Sequence, residues 1–224
     1  MFLGCSKENA ETNQEGEITL VDIDGNVYNT ITLGNQVWML ENLKTTKYND
    51  GTPISELGFD DDWHNGVTKL AYYQWANTYD LNNVFEEELP FDYYGAMYNH
   101  YAIESGKLAP LGWRIPDLED FIELKNYLAA RGYEGNEATV LKSETGWLPS
   151  SRNGTNDIGF NGLPNGYVSA PGTATFSEGI ATWATTNFNS NANTRVLIQL
   201  YNQNEILMTE SAIQIGAGIR CIKE

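Results

Sequence analysis

Pro116-Asp117-Leu118-Glu119-Asp120-Phe121-Ile122-Glu123-Leu124-Lys125-Asn126-Tyr127-Leu128-Ala129-Ala130-Arg131-Gly132 is the clearest helix in this chain. Asp117 suits the N-cap, because its carboxylate can accept the free N–H groups of the first turn, and Asp120 stands three residues on. Leu118, Phe121, Ile122, Lys125 and Leu128 follow a spacing of three to four, with Lys125 the one polar member. Acids in the first turn and Arg131 in the last match the helix dipole, and Gly132 is a natural stop. The spacing predicts an amphipathic helix packed on a sheet.

Outward from this helix, the chain reads as strands and loops. Glu17 to Ile23 alternates, Asp24-Gly25 is a two-residue turn signal, and Val27 to Leu33 returns as a second strand. Gly34-Asn35 turns again into Gln36-Val37-Trp38-Met39. Asp22-x-Asp24-Gly25 is not a calcium loop, since its glycine stands fourth where the EF-hand needs it sixth. At the far end Arg195 to Tyr201 and Glu205 to Thr209 flank the turn Asn202-Gln203-Asn204, and Gly218 to Lys223 closes the sheet. The expected class is α+β, with antiparallel strands, about two helices and long irregular loops.

Composition bounds the function. The chain has 224 residues, 41% apolar and 19% charged, enough to bury a real core. A net charge of −17 repels phosphate backbones, so nucleic acid is excluded as a partner. No apolar run is long enough to cross a bilayer.

Phe2-Leu3-Gly4-Cys5 looks like the end of a bacterial lipoprotein signal, in which the cysteine sulfur takes a diacylglycerol group. Residues 6–16 are polar and read as a flexible tether, which leaves residues 17–224 as a single domain. The expectation is an outer-membrane or cell-surface protein, extracytoplasmic and lipid-anchored through Cys5. A chance Leu-Gly-Cys is the alternative reading. Cys221, between Arg220 and Ile222, is expected to be a buried, inert thiol, with a Cys5–Cys221 disulfide as the alternative.

Candidate sites are few. Asp60, Asp61 and Asp62 could ligate a hard cation such as calcium through oxygen, but adjacent carboxylates rarely converge on one ion and a solvated acidic loop is the preferred reading. His64 and His100 each lack a second histidine or cysteine nearby, so a zinc site has no support. Tyr and Trp crowd residues 69–103, either as a sugar platform or as packing.

Several segments together resemble a known family. They are Asp24-Gly25-Asn26-Val27-Tyr28, Gly34 to Thr45 with its Trp38-Met39-x-Glu41-Asn42-Leu43-Lys44, Tyr94-Gly95-Ala96-Met97-Tyr98-Asn99, Gly112-Trp113-Arg114-Ile115-Pro116, and Gly159-Phe160-x-x-Leu163-Pro164-x-Gly166-Tyr167. In this order the set resembles the Fibrobacter succinogenes major paralogous domain of bacterial surface lipoproteins. The resemblance implies a C-type-lectin-like fold, distantly similar to sulfatase-modifying factors, with ligand-facing loops that would carry Trp147, Tyr167 and Trp183. It also implies a cysteine before the Gly-Trp motif paired with one in the last strand; here Ala109 stands there, so that bridge is lost and Cys221 remains. The cysteine pair of the formylglycine-generating oxidases is missing too, so no oxidase chemistry or copper carries over, and no cofactor is expected beyond a possible calcium. The expected function is non-catalytic binding of a glycan, a surface protein or another envelope component. A structural or assembly subunit of a surface appendage is the alternative.

Overall fold

The computed structural model describes residues 10–12, 18–58, 61, 69–79, 84–85, 87–169, 174–175 and 177–224. β1 (Ala10–Thr12), β2 (Ile18–Val21) and β3 (Val27–Tyr28) form an antiparallel meander. Its turn is built by Asp22, whose carboxylate accepts the N–H groups of Asp24 and Asn26 at 2.9 Å each and the Tyr28 hydroxyl at 2.6 Å. Gly25 takes φ +86° there, a conformation that a side chain would strain.

The strand expected over Val27–Leu33 is broken at Asn29. Glu41 accepts the Asn29 N–H at 2.8 Å and its side-chain amide at 2.7 Å, which turns the chain out of one sheet and into the next. β4 (Thr30–Leu33) and β5 (Gln36–Met39) then pair as a hairpin. β6 (Ser55–Glu56) runs parallel to β7 (Tyr72–Trp75), which pairs antiparallel with β8 (Ala96–Tyr98). Asn99 caps the single-turn α1 (His100–Glu104) by accepting the Ala102 N–H. β9 (Trp113–Arg114) leads through Pro116 to α2 (Leu118–Ala129).

The capping of α2 follows the sequence. Asp117 accepts the Asp120 N–H at 3.0 Å, and the Asp120 carboxylate accepts the Asp117 N–H at 2.8 Å. Arg114 clamps that same carboxylate with two bonds, which joins β9 to the helix start and holds Asp120 below its ordinary pKa against the opposing effect of burial. The inward stripe is Phe121, Leu124 and Leu128; Lys125 instead faces the carboxylates of Glu205 and Glu137, at 3.4 and 3.8 Å. A third helix, α3 (Glu137–Leu141), brings the number among the described residues to three where about two were expected, and two of the three are single turns.

β10 (Tyr167–Val168) pairs with β11 (Ala174–Thr175). β12 (Ala181–Asn189), β13 (Thr194–Leu200) and β14 (Leu207–Ala212) form an antiparallel sheet in that order. The closing strand is shorter than Gly218–Lys223: β15 (Ile222–Lys223) alone pairs, with β5 on one side and β9 on the other. The residues before it make isolated bridges instead, Ala217 to Tyr98 and Gly218 to Trp183. The last strand therefore joins an early hairpin to the Gly-Trp-Arg motif.

The β12–β14 sheet separates two cores. Ala184 and Leu197 face one, with Tyr28, Leu43, Tyr98, Trp113 and Cys221. Trp183, Ile198 and Leu200 face the other, with Trp38, Phe121, Leu128, Trp147 and Phe160. Alternation along β13 supplies both faces, as the two-residue period of a strand requires. Ala109 and Cys221 are both buried in the first core. Cys221 is a free buried thiol whose pKa is pushed far up by burial.

Candidate functional site

The motif residues meet in one buried centre. Arg220, fully buried, donates from Nη1 to the Phe160 carbonyl at 2.6 Å and from Nε to Asn42 Oδ1 at 3.3 Å. Its guanidinium lies 4.5 Å from the Phe160 ring centre and 5.0 Å from that of Trp183. Trp183 donates its indole N–H to the same Asn42 oxygen at 2.7 Å, and the Asn42 amide donates to the Tyr94 carbonyl at 2.8 Å. Gly95, at φ +80°, leaves no room for a Cβ, which would lie 2.7 Å from Asn42 Cβ. Burial lowers the Arg220 pKa to about 9, so it remains a cation at neutral pH, held by carbonyl dipoles and ring faces. This centre is closed to solvent and offers nothing to a ligand. It pins five distant parts of the chain together.

A second buried guanidinium belongs to Arg195 on β13. Nη1 donates to the Thr185 carbonyl at 2.6 Å, and Nη2 meets Glu104 Oε1 at 2.5 Å and His100 Nδ1 at 2.9 Å. Because the arginine can only donate, His100 must accept at Nδ1 and is neutral. Burial and the arginine both hold its pKa below the usual 6.5, with Glu104 opposing. The sequence showed His100 as isolated; the fold brings it Arg195 and Glu104 from 95 and 4 positions away, a juxtaposition no local pattern signals.

An open cavity of about 340 Å³ lies on the Leu197 face of the β12–β14 sheet. Tyr167 and Tyr201 supply ring walls, Ile180, Leu197 and Ile215 supply apolar surface, and Gln199 and Ser211 supply polar groups. Gln199 is steadied by Thr182 and Thr209 through bonds of 3.4 Å each, which leaves its amide with spare donor and acceptor capacity. Among the described residues its lining holds no carboxylate, imidazole or cation. A predominantly apolar, aromatic concavity with a few convergent polar groups is the usual form of a binding site for an uncharged ligand.

Of the residues the sequence singled out, Tyr167 alone lines this cavity. Trp183 is 1% exposed and belongs to the Arg220 centre. Trp147 is 2% exposed; its indole N–H donates to Ser143 Oγ at 3.0 Å, and the Lys142 ammonium lies 4.2 Å over its ring. Burial lowers that Lys142 to about 8, and its ammonium donates to the carbonyls of Ser151 and Arg152. Both indoles thus fill the second core and turn no ring face to solvent. Asp61 is exposed, and its carboxylate accepts the Gly58 N–H at 2.8 Å. Cys5, Asp60, Asp62 and His64 lie outside the described residues. Gln199, Tyr201 and Ser211 were missed, because an alternating strand does not reveal which of its faces is left uncovered.

A family model, the Fibrobacter succinogenes major domain, matches residues 31–223. The chain belongs to this family. The match spans the early hairpin, both buried arginines and the closing strand, so the Arg220 centre and the Tyr167 cavity both lie within the Fibrobacter succinogenes major domain. Comparison with curated proteins and with solved structures returned no match.

Proposed function

We propose that this protein is an extracytoplasmic binding domain, lipid-anchored through Cys5 at the outer membrane or cell surface, that holds a ligand without transforming it. The cavity between Tyr167 and Tyr201 carries this reading: it combines ring faces with the Gln199 amide and the Ser211 hydroxyl, which can grip a ligand but supply no tuned acid or base. No described helix is long and apolar enough to cross a membrane, and a lipid at Cys5 would supply the attachment instead. A C-type-lectin-like architecture is the finer fold reading, supported by the closing strand that joins the two ends of the domain. Calcium at Asp60–Asp62 stays within the proposal as an optional ligand of the acidic loop.

The test is a glycan array together with capture from native envelope, each run with the wild type and with Tyr201→Ala. A bound glycan or envelope protein that is lost in the variant supports the reading. Turnover of a bound ester, glycoside or thiol, or capture indifferent to Tyr201, overturns it. The alternative, an assembly subunit of a surface appendage, is favoured by one specific observation, the open edge of β14.

A further inference from the structure

We propose that β14 receives an extended peptide by strand addition, with the Tyr167–Tyr201 cavity taking one of its side chains. The proposal rests on the binding-domain reading and names the partner class for the same site.

Among the described residues, β14 is the last strand of its sheet, which runs in the order β12, β13, β14. The Ile213 N–H donates to the Asn193 carbonyl at 3.2 Å, and these residues continue the register in which Thr194 faces Ala212. Hydrogen-bonded pairs recur every second residue in an antiparallel ladder. Leu207, Thr209 and Ser211 therefore exchange bonds with β13, while Met208 and Glu210 turn their N–H and C=O groups outward. An exposed edge of this kind is a template for another strand, and main-chain bonds along it supply affinity with little regard for sequence.

Specificity comes from what flanks that edge. On one face, Ser211 opens into the tyrosine cavity. On the opposite face, Glu210 borders a second cavity of about 280 Å³ with Phe188, Asn187 and Val196. An added strand sends alternate side chains to opposite faces, so neighbouring residues of one peptide reach both cavities. The first takes a ring or aliphatic group between Tyr167 and Tyr201. The second carries the exposed Glu210 carboxylate in a protein of net charge −17, and so takes a basic side chain that pairs with it. The partner is thus an extended segment that alternates apolar with basic residues.

The test is selection of a random heptapeptide display library on the full chain, followed by titration of the selected peptides. Peptides alternating apolar and basic residues are expected, with amide-exchange protection appearing at residues 208–212. Glu210→Pro removes one outward N–H at an edge position where proline is tolerated, and should weaken binding about tenfold, the effect of one ordinary hydrogen bond. Glu210→Lys keeps the strand and should reverse the preference from basic to acidic peptides. Selected peptides that bind both variants as they bind the wild type overturn strand addition. Neutral glycans captured through Tyr201, with no edge-dependent peptide, overturn it and leave the binding-domain reading standing. Loss of every Tyr201-dependent ligand removes both.

Discussion

Arg220 and Arg195 are both buried guanidiniums, but their surroundings are opposite in kind. Arg220 is satisfied by carbonyls, an amide oxygen and two aromatic faces, none of which titrates. Arg195 is held by one carbonyl, a half-exposed carboxylate and an imidazole, while its buried Nε makes no hydrogen bond. A cation held by neutral dipoles has no partner that titrates near neutral pH, and serves to fix geometry. A cation held by titrating groups ties local stability to the proton concentration. The contrast teaches that a buried charge is read from its partners rather than from its burial.

The largest effect that could break the comparison is at Arg220. Arg220→Ala should remove about 3–5 kcal/mol of stability, because it leaves buried acceptors unpaired and opens a void beneath Trp183 and Phe160. Urea unfolding measures it; a loss below about 1 kcal/mol would show that the centre is not a pin. Trp183→Phe keeps most of the ring but deletes the donor to Asn42, and should cost about 1–3 kcal/mol in the same measurement.

The Arg195 centre sharpens the contrast through pH. Free imidazole titrates near 6.5, and folded His100 titrates lower. Below 6.5 the unfolded chain takes up a proton that the folded one resists, so His100's contribution is whole above that value. It is lost as pH falls through the depressed folded pKa. Thermal unfolding at a series of pH values should therefore show a descending arm between neutrality and mild acid that His100→Gln flattens. An unchanged slope in the variant would assign the acid sensitivity elsewhere.

Glu104 carries the smallest effect. Its side chain is 43% exposed, so solvent screens the pair and Glu104→Gln should cost about 0–1 kcal/mol at neutral pH, less in high salt. Since Glu104 is the group that supports a proton on His100, the variant's acid loss should start at the same pH, which the unfolded imidazole sets, but run on to lower pH and be larger in total.

Local chemistry was legible before any coordinates. The Asp24-Gly25 hairpin and the Asp117–Asp120 capping box depend on neighbours in sequence, and both form where the residues require. The Asn29 break was not legible, because the carboxylate that redirects the chain is Glu41, across the hairpin. Trp147 and Trp183 are large amphipathic residues in loop-rich sequence, equally suited to a ligand platform or to a core. Which one they serve depended on whether Ser143 and Asn42 stood within reach of their N–H groups.

By itself, the amino-acid sequence determined the secondary structure at its capped and turned points, the acidic character and membership in a family. These rest on interactions within a few residues, or on totals that folding does not alter. Only the tertiary structure decided that Arg220 meets Asn42 and Phe160, that His100 answers to Arg195, and that, among the described residues, no strand lies beyond β14 and a cavity opens beside Leu197. The physical reason is that burial and pairing are properties of distance in space. Contacts between residues separated by 60 to 178 positions leave no periodic trace along the chain.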